Sequence, residues 1–413
     1  MEIAACRRNS KLVMPTITVV GAGFSGLTTA YFLLKQGHKV RIVEKTDRAG
    51  GLIKTIHTPH GLVETAANGL LNSARLEAMC ADIGVPLIPT RKEGRRRFIF
   101  RGKPKQVPLT LSDIGRMALR FGVSARTLRP RQFETIADWG RRVIGPGATD
   151  YLLTPALGGI YAGDPERLSA SLIFGRASLP DHLATNRPQK ARIRGTVAPA
   201  NGMQQLIDGL QSYLEKAGVE FQFNQDAPVP TGERGVVCLS ARAAAEYLAP
   251  QTPALGAALH EIEMLSIATV TCFYATTAAK LNGFGCLFPR DQGFRARGVL
   301  FNDLIFAGRG PAHAETWIFG GALDSGAVNL TDAEFAELIT SERERFYGRK
   351  DQPLDIYVTR WPNALPHYSI EFEKVLTTLP PPPENIALLG NYLGRIGLAK
   401  ILERAAVVAE NIG

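Results

Sequence analysis

The chain has 413 residues, of which 45% are hydrophobic and 21% charged, and a formal net charge of +10 at pH 7. This length and composition fit a globular protein of about two domains and exclude a disordered or low-complexity chain; no apolar run reaches the roughly 18–20 residues that cross a bilayer. The five cysteines, at 6, 80, 238, 272 and 286, are isolated, so no metal centre and no disulfide framework is expected, and a reducing compartment is the default.

Residues 1–13 carry Arg7, Arg8 and Lys11 without an apolar stretch, which does not fit a secretory signal, and fold signals begin at Met14. A β-branched run, Thr16 to Val20, reads as a buried strand. It enters Gly21-Ala22-Gly23-Phe24-Ser25-Gly26, then a helical stretch with Leu27, Tyr31 and Leu34 on one face that stops at Gly37, then a second strand, Lys39 to Val43, ending at Glu44. This is a βαβ unit with a phosphate-binding turn. Gly21 serves the tight turn, Gly23 lets backbone approach a pyrophosphate, and Gly26 lets helix and strand pack closely. The pyrophosphate would sit on the helix N-terminus. Glu44 stands where a carboxylate accepts hydrogen bonds from an adenosine ribose.

Further along, a helix is expected over Ser73 to Ile83 and a hairpin over 95–108, with strands at Arg97-Phe98-Ile99-Phe100 and Gln106-Val107. Residues 110–180 read as mostly helical, broken at Pro130, Gly145, Pro146 and Pro155. Residues 91–146 hold 15 Lys+Arg against 4 Asp+Glu, a net of +11, which leaves the rest of the chain close to neutral. Such a block suggests an acidic partner. Nucleic acid is not expected, because aromatics are not interleaved and no nucleic-acid module matches; an anionic membrane surface or a polycarboxylate substrate fits better. Next come a helix at Gly202 to Leu214, strands at Val219 to Phe223 and Val236 to Leu239, and a helix at Ala241 to Leu248. Strands follow at Thr269 to Tyr274, Gly298 to Phe301 and Thr316 to Gly320, then a helix at Asp332 to Phe346 with Thr331 as N-cap. A proline-rich connector, Leu379 to Pro383, leads to a strand at Ile386 to Leu389, a glycine turn and a last helix, Leu398 to Ile412. The expected class is α/β: a Rossmann-like dinucleotide-binding domain with an inserted mixed α+β domain and a helical segment. The dinucleotide domain would be discontinuous (14–90, 197–258 and 375–413), with a basic helical part at 91–196 and a substrate sheet at 259–374.

Several motifs carry a resemblance across nearly the whole length. Glu44-Lys45-Thr46-Asp47-Arg48-Ala49-Gly50-Gly51 resembles the acid–x3–Arg–x–Gly–Gly run of amine-oxidase superfamily flavoproteins. Leu157 to Ser169, LGGIYAGDPERLS, is similar to a GG-[IV]-YAGDP-x-x-LS signature. Gly283-Phe284-Gly285-Cys286-Leu287-Phe288-Pro289, Gly298-Val299-Leu300-Phe301-Asn302 with Phe306-Ala307-Gly308-Arg309, Ala364 to Tyr368, and Gly390-Asn391 through Ile396-Gly397-Leu398 follow in order. Together they resemble the protoporphyrinogen oxidase and flavin-dependent coproporphyrinogen oxidase family.

The resemblance implies non-covalent FAD and six-electron oxidation of a porphyrinogen in heme biosynthesis, with hydride passing to flavin N5 and no protein residue acting as general base. Oxygen or another acceptor would take the electrons. The cofactor would be held by Gly21, Gly23, Phe24, Ser25, Gly26, Glu44, Lys45, Arg48, Gly50, Gly51, Val219, Asn391, Gly394, Ile396, Gly397 and Leu398. The helix opened by Gly394 and Gly397 would face the flavin edge that gains negative charge. Arg97 aligns with the family arginine that holds a substrate propionate, and Arg95 and Arg96 are adjacent alternatives; Phe284, Leu287 and Ile318 match positions that sandwich the macrocycle. A bacterial-type chain in the cytoplasm, attached peripherally to a membrane, is implied, and a homodimer is compatible. Two departures stand out: Glu64-Thr65-Ala66-Ala67 replaces E-x-G-P, and Glu371-Phe372 replaces Gly-His. They leave open another flavin amine oxidase or desaturase, or a non-catalytic FAD- or porphyrin-binding protein.

Overall fold

The computed structural model describes residues 16–121, 128–175, 190–394 and 396–412. The leader, the start at Met14 and the stretches 122–127 and 176–180 of the expected helical region lie outside these residues. In chain order the elements used below are β1 (Thr16–Val20), α1 (Phe24–Lys35), β2 (Lys39–Val43), α2 (Ala74–Asp82), β3 (Arg97–Phe100), β4 (Pro104–Lys105), α3 (Leu111–Phe121), α4 (Thr154–Tyr161), α5 (Gln204–Lys216), β5 (Glu220–Gln222), β6 (Gly235–Val237), β7 (Met264–Tyr274), β8 (Gly285–Leu287), β9 (Gly298–Phe301), β10 (His313–Gly320), α6 (Asp332–Tyr347), β11 (Asp355–Pro366), α7 (Ile370–Thr378), β12 (Ile386–Leu388) and α8 (Leu398–Ile412).

Two sheets organise the chain. The first has order β5-β2-β1-β6-β12 and is parallel throughout. Its short strands are apolar because helices cover them; Ile17, Val19, Ile42 and Val236 share a core with Leu27, Leu33, Leu210, Leu214, Leu402 and Ala405 from α1, α5 and α8. The second has order β11-β7-β10-β9-β8-β3-β4, antiparallel except where β3 lies beside β8. One face of it, with Phe98, Phe100, Val270, Val299, Phe301, Trp317 and Phe319, packs on Phe335, Ile339 and Phe346 of α6. Thr331 and Glu334 close a capping box at the start of α6.

Several elements differ from the sequence reading. The hairpin's second strand is Pro104–Lys105 rather than Gln106-Val107, and the hairpin forms the edge of the large sheet instead of joining the helical segment. Pro146 and Pro155 start helical turns rather than breaking them, since each sits in a first turn where the missing N–H costs nothing. β11, α7 and the helix Pro253–His260 had no counterpart.

Candidate functional site: a glycine cradle facing an apolar sheet wall

Chain order in the parallel sheet reverses between β1 and β6, and ligands of such sheets bind at the carboxyl edge of that switch point. Gly21 leaves β1 at φ 99°, and a Cβ there would lie 2.9 Å from the Cys238 carbonyl oxygen just past β6. A Cβ on Gly26 would fall on the Gly21 carbonyl, so only glycine lets α1 sit this close to β1. Gly23 is different: a Cβ there meets only the Cα of Gly51, at 4.0 Å, and would fill the space between the turn and the Gly50-Gly51 loop. Gly23 caps α1 without a side-chain hydrogen bond, so the first-turn N–H groups, those of Phe24, Ser25 and Gly26, remain free to donate to an anion.

The acid and the loop are held in place. Glu44 Oε2 accepts from Ala22 N–H at 2.7 Å, and Oε1 accepts from Thr46 N–H and Oγ1 at 2.9 and 2.8 Å. Arg48 donates to the carbonyls of Ala49, Ile53 and Gly51, which folds the Gly50-Gly51 loop under Gly23; Gly50 N–H reaches Ala22 O at 2.8 Å. Lys45 is exposed and meets Asp226 at 3.6 Å. Val219 is a correction. It lies at the amino end of β5, buried in the core, whereas Gln222 to Gln225 run beside Glu44 and Thr46. The strand forms where expected, but the end that can meet a ligand is its carboxyl end, as in other parallel sheets.

The C-terminal turn comes to the same edge, since β12 is parallel to β1 and α8 packs beside α1. Gly394 and Gly397 have φ of 79° and 98° and turn the chain into α8, with Ile396 and Leu398 half-buried beside them. Asn391 Nδ2 donates to Ala364 O at 3.0 Å, and Tyr368 Oη donates to Asn391 O at 2.6 Å. Tyr368 O in turn accepts from Ser169 N–H, and His367 Nε2 accepts from Asp164 N–H. Three motifs far apart in sequence therefore meet here. Of the departures, Glu64 is buried, accepts from Thr55 Oγ1 and Met203 N–H and lies 3.6 Å from Arg309; burial pushes its carboxyl up. Phe372 is a core residue, and Glu371 pairs with Arg167 at the start of α7.

The second sheet supplies an apolar face. Register places Ile99, Leu287, Gly298, Ile318 and Thr269 in one row across β3, β8, β9, β10 and β7, and Arg97, Gly285, Leu300 and Thr316 in the next. By alternation, Arg97, Leu287 and Ile318 share the face away from α6. Phe284 lies just before β8, and the exposed Arg97 guanidinium sits 4.8 Å from its ring centroid. Leu300 belongs to this face and was missed, although the Gly-Val-Leu-Phe alternation of β9 carried the signal. Leu287 also touches α4, where a Cβ on Gly159 would fall 2.7 Å from Leu287 Cδ2.

A parallel sheet with a glycine cradle at its switch point, together with a second sheet that carries an apolar face and an arginine, is the architecture of a dinucleotide-binding oxidoreductase. Residues 24–227 match the family described as Flavin containing amine oxidoreductase. The match spans just under half of the chain, which is an FAD-dependent oxidoreductase. It is 25% identical over 463 residues to a chloroplastic protoporphyrinogen oxidase of Nicotiana tabacum (95% of this chain, 84% of that one) and 24% identical to the coproporphyrinogen III oxidase of Mycobacterium tuberculosis (92% and 93%). A crystal structure described as a putative protoporphyrinogen oxidase from Exiguobacterium sp. 255-15 shares the fold, with TM-score 0.77, 18% identity, and 96% and 98% coverage. Cyclohexylamine oxidase from Brevibacterium oxydans does so with TM-score 0.72 and 16% identity, over 97% and 98%.

Proposed function

We propose that this chain oxidises a porphyrinogen to the porphyrin with non-covalently bound FAD. The observation that carries the reading is the sheet face on which Arg97, Leu287, Leu300 and Ile318 stand together, in the same chain as the glycine cradle; the names of the relatives point the same way. A bound flavin supplies the two-electron acceptor, restored by oxygen or another oxidant, and three rounds remove six electrons. The chain's own residues bind and orient. The α1 N-terminus and Gly23 would hold the pyrophosphate and Glu44 the ribose, and the α8 N-terminus would favour the negative charge that a reduced flavin gains. Leu287, Leu300 and Ile318 present an apolar wall that excludes water from the macrocycle. Arg97, stacked on Phe284, pairs with a substrate carboxylate in two-pronged geometry. No side chain is assigned as general base.

Anaerobic mixing of the yellow holoprotein with coproporphyrinogen and protoporphyrinogen tests the reading: flavin bleaching and appearance of the porphyrin band are expected. Bleaching by amines alone would overturn it.

The same reading includes attachment to an anionic membrane. No helix among the described residues is long and apolar enough to cross a bilayer. Support for surface attachment comes from the basic 91–146 segment, where Leu111 and Leu119 of α3 are 89% and 79% exposed and Val107 is 63% exposed. Apolar side chains uncovered beside a basic surface suit a headgroup layer.

A further inference from the structure

A cavity of about 290 Å³ lies between α4 and the segment that leads into β9. Its lining includes Gly158, Phe294, Arg290, Arg295, Arg297 and Asp324. Arg297 is the residue before Gly298, the glycine that faces Leu287 and Ile318 across the sheet. Its backbone is fixed on both sides, since its N–H donates to Ile318 O and its carbonyl accepts from Phe288 N–H. Its Nε donates to Gly320 O at 2.5 Å. Nη2 is buried and has no hydrogen-bond partner among the described residues.

The nearby carboxylates are engaged elsewhere. Asp324 is taken by Arg295 through two contacts, at 2.8 and 3.1 Å, and Asp164 Oδ1 accepts from Glu166 N–H. Burial pulls the Arg297 guanidinium down to about 10, against the pull of Asp324 and Asp164. It is therefore charged at neutral pH, mostly buried at the cavity wall, and short of one acceptor. A buried cation with a free donor beside a cavity is a site for an anion, and a planar guanidinium selects a carboxylate.

We propose that the Arg297 cavity is a second carboxylate-binding site, next to the substrate wall and separate from Arg97. This rests on the porphyrinogen reading for one of its two ligand sources. Arg97 and Arg297 lie two strands and three residues apart, about 14 Å between backbone positions. A macrocycle bearing carboxylates on more than one edge spans that order of distance, which would favour a porphyrinogen with carboxylates all round its rim. The other source is a free small carboxylate.

The experiment uses FAD-loaded wild type, Arg297→Leu and Arg297→Gln. The Gln variant can still donate to Gly320 O and guards against a folding defect in the first. Two readouts are taken: kcat and KM for coproporphyrinogen and its tetramethyl ester, and thermal stabilisation by sodium succinate against sodium chloride at equal ionic strength. If the site holds a substrate carboxylate, both variants raise KM for the tetra-acid roughly ten- to a hundred-fold with kcat unchanged, and the acid-over-ester preference falls equally. If it holds a free anion, that preference stays and the succinate stabilisation disappears. Either result supports the site. Variants that match wild type in both readouts overturn it. A wild type that oxidises neither porphyrinogen but shows Arg297-dependent succinate stabilisation sinks the porphyrinogen reading and keeps the site.

Discussion

At the scale of single residues, two glycines three positions apart do different work. Gly23→Val puts a side chain into the open cradle, so FAD content should fall to background while the apoprotein keeps wild-type circular dichroism. Gly26→Val collides with the Gly21 carbonyl, and the same measurement should show loss of folded protein. Stoichiometric FAD in Gly23→Val would remove the cradle assignment. Arg97→Ala should raise KM for the porphyrinogen with FAD content intact and cost about 1.5–3 kcal/mol in kcat/KM, because a charge-assisted bond to a carboxylate exists in the ground state and persists through hydride transfer. Arg97→Lys should recover only part, as an ammonium lacks the two-pronged fork. The competing positions separate by geometry: Arg95 ends a short 3-10 turn and Arg96 uses its carbonyl to hold Phe284 N–H, whereas Arg97 opens the strand level with Gly285. Crippled Arg95→Ala beside a normal Arg97→Ala would move the anchor. Local chemistry was legible at Gly21 to Gly51 because one βαβ unit contains all of it. The end of β5 that faces the ligand was not, since that depends on a partner strand nearly two hundred residues away.

At the scale of elements, legibility followed the cleanness of the local pattern. β1, β2, α1 and α8 were readable because caps, glycines and apolar runs agree. β11 was not: Pro362-Asn363 reads as a turn. In the structure those residues fall in an irregularity of the β7–β11 ladder, with Asn363 at φ 52° and its N–H on Ser266 Oγ, on an edge strand that tolerates proline. The β10–α6 junction carries a buried charge network that no local pattern announced. Glu315 accepts from Trp317 Nε1, Arg343 Nε and Tyr347 Oη, and the ring of His313 bridges Glu315 and Asp303 at 3.1 and 3.0 Å. Burial lowers the His313 imidazolium, but Asp303 and Glu315 outweigh it and raise its pKa to about 9. A pKa raised on folding contributes stability in full below the unfolded value near 6.5 and loses it as pH rises through 9. Urea unfolding should therefore show wild type losing about 3 kcal/mol between pH 6 and pH 9.5 from this group, with His313→Gln flatter over that window. Parallel pH profiles for the two proteins would mean the imidazole is not charged in the fold.

At the scale of the whole molecule, the parallel sheet is assembled from strands at 16–43, 220–237 and 386–388, and the second sheet from strands between 97 and 366. Nothing local in those segments announces that they pair; ordered motifs and family resemblance supplied the expectation. The basic excess was legible from counting alone, but its surface needed coordinates, because α3 leaves Leu111, Ile114 and Leu119 uncovered within the segment that holds the +11 excess. An amphipathic layer of that kind binds by two additive terms. Each basic residue near anionic lipid contributes up to about 1 kcal/mol and is screened by salt, and each apolar side chain that leaves water adds about 1.5–3 kcal/mol that salt does not weaken. Flotation with vesicles containing an anionic phospholipid should therefore recover the protein at low salt and lose most of it as salt rises. Leu111→Asp with Leu119→Asp should reduce recovery at every salt concentration, with FAD content and porphyrinogen turnover in detergent unchanged. Equal recovery with neutral and anionic vesicles at low salt would remove the electrostatic term. Wild-type recovery of the double variant would place the contact elsewhere than on α3.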